Sequence, residues 1–295
     1  MKMSKINIFR QKDLGNGVIR IESTGSVFAY LVKGKKKAVL IDTLTGLGDI
    51  REYVETICTL PVTVMITHVH LDHAGGIFDF DEAWLPKGDL SLLPEAADVA
   101  KRFAYEKMTA EEAGRGFEYT IEDFVVPGKT AYRCLHDRDV FDLGGRFLTA
   151  VSVPGHTAGS MGFLDSETGI FFSGDCGNNR TFLFLPESVT VSEYLNSLLT
   201  LKKNYGEKIR RWFISHVYTE MPPGILDELI ECCRLIISGK ENGQKFQFGL
   251  NGYESLQAVF CKAVDSEEKR LDGKWANIVF DPERRQPCRT LEECG

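Results

Sequence analysis

Four residues that can bind a metal lie within one short segment of the chain. His68, His70, Asp72 and His73 form the pattern H-x-H-x-D-H. Imidazole nitrogens suit zinc, iron and nickel, and a carboxylate oxygen completes a hydrolytic site. In an extended backbone the two imidazoles of H-x-H point to the same side. The spacing therefore predicts one metal position at these imidazoles and a second, nearby position that Asp72 and His73 face.

Three more ligand-type residues each follow a segment of β-strand composition. They are His156 in PGHT, Asp175 in SGD and His216 in ISH. Taken singly, such a histidine is often a hydrogen-bonded structural residue and such an aspartate a turn residue. Several strand ends that all offer histidine or aspartate are better explained by one shared metal centre. A solvated, histidine-rich loop is the alternative interpretation.

The elements around these residues alternate between strands and helices. The apolar, β-branched run 62–67 predicts a strand buried on both faces, with the histidine segment at its carboxyl end, where ligand sites of α/β folds gather. Further strands are predicted at 18–21, 26–32, 38–42, 140–143, 147–153, 161–165, 170–173, 211–215, 254–263 and 276–280, and helices at 49–60, 90–107, 191–204 and 225–238. This order indicates an α/β layered architecture.

The motifs THVHLDHAGG, PGHTAGS and FFSGDC, with the later SH and the early AVLIDTLTG, occur in this order along the chain. They resemble the ordered motifs of the metallo-β-lactamase-fold superfamily, in particular its hydroxyacylglutathione hydrolase and lactonase-like branch. The resemblance spans about residues 23 to 216. It implies a four-layer αββα sandwich with a dinuclear metal centre at one rim of the sheets.

The resemblance also implies a role for each ligand. His68, His70 and His156 would hold the first metal, Asp72, His73 and His216 the second, and Asp175 would bridge them. We expect a single domain over residues 1–295, with a helical insertion around 86–130 and a C-terminal extension from about 239. The insertion is interpreted either as a lid or wall over the site or as a plain surface excursion.

Two divalent metal ions are expected as cofactors, with zinc favoured over iron or manganese. Two ions can share a water and lower its pKa, and the bridging hydroxide would attack a small ester, thioester, lactone or phosphodiester. Asp72 would act as the catalytic residue that orients the nucleophile and passes on its proton. Asp42 is expected to support a ligand histidine by a hydrogen bond, and Thr157 has a similar supporting position.

Contacts to the substrate are less clearly indicated. Arg180 follows Asp175 closely and could meet an anionic group, although a surface arginine fits as well. Tyr218 could donate a hydrogen bond to an oxyanion or simply pack. Phe182 and Phe184 could form an apolar wall or belong to the core.

Composition narrows the classes of function. The chain has 35 Lys and Arg against 42 Asp and Glu and no strongly basic stretch, which argues against a nucleic-acid substrate. Its longest apolar runs are strand-sized, which argues against membrane insertion. Eight cysteines without a CxxC pair and an N-terminal segment without an apolar core indicate a cytoplasmic protein. We expect a small-molecule substrate and allow for a homodimer.

Two other classes use overlapping ligands. A mononuclear iron oxidoreductase similar to sulfur dioxygenases would bind one iron and consume oxygen. A non-catalytic metal sensor would bind metal without turnover, but structural sites are usually closed by four protein ligands, and seven ligands for two metals leave positions open for water. Metal content combined with a panel of hydrolase substrates separates the three.

Overall fold

The computed structural model describes residues 8–247 and 257–286. One sheet of seven strands has the order β1 (Arg10–Asp13), β2 (Val18–Glu22), β3 (Phe28–Lys33), β4 (Ala38–Ile41), β5 (Val62–Met65), β6 (Glu82–Pro86) and β7 (Ala131–Leu135). A sheet of six strands has the order β8 (Val140–Asp142), β9 (Phe147–Ser152), β10 (Met161–Asp165), β11 (Ile170–Phe172), β13 (Arg211–Phe213) and β14 (Glu220–Met221).

A third, four-stranded sheet has the order β12 (Arg180–Leu183), β17 (Asn277–Phe280), β16 (Ala258–Phe260) and β15 (Lys245–Phe246). The α-helices are α1 (Ile50–Ile57), α2 (Leu71–Ala74), α3 (Leu93–Ala96), α4 (Val99–Glu112), α5 (Val191–Tyr205) and α6 (Ile225–Ile237). Short 3₁₀ turns occupy Ile77–Asp79, Lys87–Leu92, Ile121–Asp123 and Pro282–Arg284.

Two of the outer helices lie in the connections between parallel strands. Strands β4 and β5 pair in parallel, as do β11 and β13. A parallel pair needs a long crossover, and α1 lies within the first crossover and α5 within the second. Both crossover helices have an acidic or hydroxyl N-cap, Asp49 for α1 and Thr190 for α5, whose side chain accepts a backbone N–H of the first turn.

Three apolar clusters define the layers. Between the two large sheets, Val32 and Met65 of one sheet share a cluster with Phe163 and Phe213 of the other. On the outer side of the first sheet, the buried cluster joins strands β2 to β4 to α1. On the outer side of the second, it joins β11 and β13 to α5 and α6. This sequence of helix, sheet, sheet and helix confirms the α/β class and the four-layer sandwich.

Two predicted elements are shorter in the structure. The helix predicted at 49–60 ends at Ile57, since Cys58 is already extended and residues before Pro61 disfavour helix. The strand predicted at 62–67 ends at Met65. Thr67 leaves the sheet because its backbone N–H donates to Asp42 Oδ1 at 2.8 Å.

The predicted helix at 90–107 was wrong as a single element. It is divided into a 3₁₀ turn, α3 and α4. Asp98 has an extended backbone, and its side chain accepts the N–H groups of Ala100 and Lys101, so a new helix begins there. The helical insertion predicted around 86–130 includes this segment. The division of the chain into one domain with this insertion and a C-terminal extension stays a prediction.

The segment from residue 239 onward adds strands to the third sheet. Strand β17 pairs in parallel with β12, which follows the Asp175 loop, and β17 also contacts α6. The prediction at 276–280 agrees with β17, whereas that at 254–263 corresponds to the shorter β16, with residues 254–256 outside the described part. Strands β1, β6, β7, β12, β14 and β15 were not predicted. In the described ranges no helix is long and apolar enough to span a bilayer.

Candidate metal centre

The ligand-type residues all lie just after strands of the two large sheets. His68 and His70 follow β5, Asp72 and His73 lie in α2, His156 follows β9, Asp175 follows β11 and His216 follows β13. Gly174 has φ +53°, and a Cβ there would lie 2.5 Å from Thr67 Oγ1. Glycine therefore lets the Asp175 loop approach the end of β5.

The seven predicted ligands come together in three overlapping groups. In each group the ligand atoms lie within 4.8 Å of one another: His68, His70 and His156; His68, His73 and Asp175; Asp72, His73 and His216. His70 Nδ1 is 3.0 Å from His156 Nε2, and His73 Nε2 is 3.3 Å from His216 Nε2. The group of His68, His70 and His156 forms one half of the cluster. The group of Asp72, His73 and His216 forms the other half, and Asp175 lies between the two.

Hydrogen bonds orient two of the buried rings. His73 Nδ1 lies 2.9 Å from Asp42 Oδ2, and His156 Nδ1 lies 2.9 Å from the carbonyl oxygen of Phe182. Both partners are acceptors, so the hydrogen of each ring is placed on Nδ1 and the lone pair of Nε2 is directed into the cluster. Asp42 thus occupies the supporting position that the sequence suggested.

The other two rings of the first segment are held in a similar way. His70 Nε2 lies 2.7 Å from Glu187 Oε1, which leaves His70 Nδ1 as the free nitrogen. His68 Nδ1 lies 3.1 Å from Thr67 Oγ1, whose hydroxyl donates to Asp42. Each ring therefore turns its other nitrogen toward the centre, and this nitrogen can bind a metal once it is unprotonated.

Two buried polar atoms at the centre have no hydrogen-bond partner in the described part of the chain. They are His68 Nε2 and Asp175 Oδ1. A buried polar atom without a partner costs about 1–3 kcal/mol, so native proteins rarely leave one. A cation bound between these atoms would satisfy both, and the donor set of imidazoles and carboxylates suits a divalent transition metal.

The electrostatics differ between the two halves. Burial and the neighbouring imidazoles hold the pKa of His68 well below its usual value. Burial also lowers the pKa of His73, but the carboxylates around it, of which Asp72 acts most strongly, raise it to about 10. Burial raises the pKa of Asp175, yet the facing His216 and His73 bring it well below the usual range. The half that contains Asp72, together with Asp175, therefore carries a negative potential that attracts a cation.

The matched family agrees with this geometry. Residues 23–209 match the family described as the metallo-beta-lactamase superfamily. This chain belongs to the metallo-β-lactamase superfamily. The family predicted from the motifs is thereby confirmed.

Individual superfamily members give more detail. The chain is similar to the acyl-coenzyme A thioesterase MBLAC2 of Gallus gallus, with 32% identity over 66% of this chain and 75% of that protein. It is also similar to the hydroxyacylglutathione hydrolase of Idiomarina loihiensis, with 25% identity over 66% of this chain and 62% of that protein. The metallo-beta-lactamase from Pontibacter korlensis superposes with a TM-score of 0.52 at 17% identity, covering 76% of this chain and 97% of that one. The last likeness shows the fold, and the relatives show that this superfamily member is a metal-dependent hydrolase.

Three supporting residues were missed by sequence reasoning. The Tyr105 hydroxyl donates to Asp72 Oδ2 at 2.6 Å, and Glu187 contacts His70 as described. Asp89 accepts from Thr157 Oγ1 at 2.7 Å and from the Val69 backbone N–H at 3.2 Å. Thr157 therefore supports the histidine segment through Asp89 and donates to no ligand histidine. None of the three missed residues belongs to a motif, so the sequence offers no local signal for them.

Helix α4 is fixed to the centre by buried polar side chains. Arg102 donates to the carbonyl oxygens of Thr45 at 3.1 Å and Gly75 at 2.9 Å. Glu106 accepts from Ser23 at 2.8 Å and from Thr45 Oγ1 at 2.6 Å. These hydrogen bonds hold α4 beside the loops of the cluster, and the role of the segment 86–130 stays a prediction.

The residues considered for substrate binding make contacts within the protein. The Arg180 guanidinium lies in an ion pair with Glu268, and this argues against the expected contact with an anionic group. The Tyr218 ring packs on Trp275, with 5.5 Å between ring centroids. Phe182 and Phe184 contact one another and Phe246, so they belong to the packing of the third sheet rather than to the wall considered for them.

Proposed function

We propose that this chain hydrolyses acyl thioesters at a centre of two divalent metals. The observation that carries the proposal is the pair of ligand groups on either side of Asp175, between which His68 Nε2 and Asp175 Oδ1 are buried without a hydrogen-bond partner in the described part of the chain. The substrate class is supported by the similar acyl-coenzyme A thioesterase. Zinc is the favoured metal because imidazole and carboxylate ligands suit it.

Each metal would have its own set of residues. His68, His70 and His156 would hold one ion through the ring nitrogens left free by their hydrogen bonds. Asp72, His73 and His216 would hold the other. Asp175 would lie between the two, since its carboxylate oxygens are 3.6 Å from His73 Nε2 and 3.9 Å from His156 Nε2. Two bound ions supply a water of lowered pKa and polarise the thioester carbonyl.

The side chains of this chain would then control the position of the reactants. Asp72 Oδ2 lies 3.5 Å from His216 Nε2, and its carboxylate would hold the attacking water and accept one of its protons. The Tyr105 hydroxyl would keep that carboxylate in one orientation. The water oxygen would add to the carbonyl carbon, the carbon–sulfur bond would break, and the thiolate would take up the proton held by Asp72. The products would be a free thiol and a carboxylic acid, which loses its remaining proton to solvent.

The test uses octanoyl-coenzyme A and a thiol reagent, with metal content measured on the same samples. We expect thiol release by the zinc-loaded protein and its loss in His70→Ala, together with a lower metal content. His136→Ala is the matched control, because His136 is exposed and lies outside the cluster. Thiol release that is equal in both variants would refute the proposal, as would one bound iron with oxygen uptake.

A further inference from the structure

A large aromatic side chain of the C-terminal part lies exposed beside the metal centre. Trp275 keeps 45% of its surface exposed, and its ring packs against Tyr218. Tyr218 follows His216 by two residues, and His216 Nε2 lies 3.1 Å from Asp175 Oδ2. The Trp275 indole is thus linked, through the Tyr218 ring, to the segment that carries His216. We refer to Tyr218 and Trp275 as the aromatic wall.

The backbone at Trp275 is held firmly although the indole is exposed. Glu228 of α6 accepts the backbone N–H groups of Trp275 at 2.9 Å and Ala276 at 2.8 Å. Arg270, buried at the start of the same loop, pairs with Asp272 at 2.6 Å. A fixed aromatic side chain binds a ligand at low cost in conformational entropy, which is why such residues dominate binding surfaces.

The wall continues into other exposed apolar side chains. Val217, between His216 and Tyr218, is exposed with φ +59°, a conformation unusual for a β-branched residue. Leu271, in the loop that ends at Trp275, is 68% exposed. Both lie close in sequence to the two rings, and exposed apolar side chains near a reactive centre favour a ligand contact.

The charged groups around the wall are already paired in the described part of the chain. The pairs are Arg180 with Glu268, Lys269 with Glu267, and Lys274 with Glu231. An anionic ligand group would therefore find no free cation among these three. The chemistry of this surface suits a neutral, apolar chain.

We propose that the aromatic wall binds the acyl chain of the substrate and sets a preference for longer chains. The inference rests on the proposed thioester hydrolysis and adds the part of the substrate that is recognised. Trp275 lies beyond the residues 23–209 that match the superfamily, so the preference would be a property of this chain's C-terminal part.

The experiment compares two non-hydrolysable probes, the S-octyl and S-ethyl thioethers of coenzyme A, with the zinc-loaded protein. We expect wild type to bind the octyl probe at least tenfold more tightly than the ethyl probe, because each buried methylene contributes to affinity. Trp275→Ala should weaken octyl binding about tenfold and leave ethyl binding within twofold. Trp275→Phe should retain most of the preference, which a merely structural defect would not allow.

The control is Leu199→Ala, which removes an exposed leucine of α5 and should alter neither affinity. Equal affinity of wild type for the two probes would contradict binding of the acyl chain by the aromatic wall. An equal loss of affinity for both probes in Trp275→Ala would contradict it as well. Octanoyl-coenzyme A and acetyl-coenzyme A are then compared as substrates. Absence of thiol release from both would contradict the proposed function, while the thioether affinities would still decide the wall separately.

Discussion

The two flanks of the metal centre differ in the chemistry of their side chains. On one flank, α4 contributes Arg102, Tyr105 and Glu106, which are polar and hydrogen-bonded to the surrounding loops and to Asp72. On the other flank, Tyr218 and Trp275 present aromatic surface held from behind by α6. The difference fits separate roles, in which the α4 flank fixes the loops of the cluster and the C-terminal flank, as we propose, binds the acyl chain.

Physical chemistry explains why the flanks would respond differently to mutation. A buried polar group that loses its partner carries the full cost of its desolvation. An exposed aromatic ring that is truncated costs the fold little and mainly weakens whatever binds to it. Substitutions on α4 should therefore alter folding, metal binding or kcat, and substitutions on the wall should alter KM.

The largest effect is expected for Glu106→Ala. This change leaves Ser23 and Thr45 hydroxyls and the Gly25 backbone N–H without an acceptor in a buried region. We expect the free energy of unfolding to fall by about 3 kcal/mol or more, measured by urea titration. Glu111→Ala, at an exposed position of the same helix, should change it by less than about 0.5 kcal/mol. Equal effects would show that α4 is not anchored through Glu106.

A smaller effect is expected for Tyr105→Phe, which removes the hydrogen bond to Asp72. A hydrogen bond to a charged group contributes about 1.5–3 kcal/mol, so kcat should fall about tenfold to a hundredfold while the melting temperature changes little. Tyr132→Phe, at an exposed position of β7, is the control. An unchanged kcat would remove Tyr105 from the positioning of Asp72. Cobalt spectra of both variants report separately on the geometry of the metal ligands.

The smallest effect is expected for Glu228→Ala, which removes the acceptor that fixes Trp275. The loop should become looser, so KM for octanoyl-coenzyme A should rise about threefold, with metal content unchanged. Asp227→Ala, whose side chain pairs with Lys202 away from the loop, should leave KM unchanged. A lower metal content in Glu228→Ala would contradict the separate roles of the two flanks, because the C-terminal part would then also support the metal-binding residues.

The clustering of the ligand-type residues could be predicted because each of them follows a local sequence pattern. The apolar run before His68 and His70, and the one before the turn at Asp175, indicate both a strand and a ligand-type residue at its end. The layered fold follows from the same alternation of strands and helices, together with the family resemblance. The position of Asp42 could be found in this way too, since it ends the strand beside β5.

The supporting residues and the third sheet could not be predicted in this way. Tyr105 reaches Asp72 across 33 positions and Glu187 reaches His70 across 117, so neither contact has a local pattern. Strand β12 pairs with β17 from the far end of the chain, Arg180 opposite Asn277. The pairing of Arg180 with Glu268 depends on this same long-range packing. Tertiary packing, rather than periodicity or motif spacing, determines all of these contacts.

The most direct measurement is a titration of metal-free wild type and His216→Ala with cobalt, followed by absorbance and by bound metal after gel filtration. We expect two equivalents bound to wild type and one to His216→Ala, in which the group of His68, His70 and His156 is intact. One equivalent in wild type, or two in His216→Ala, would contradict a centre of two metals divided at Asp175.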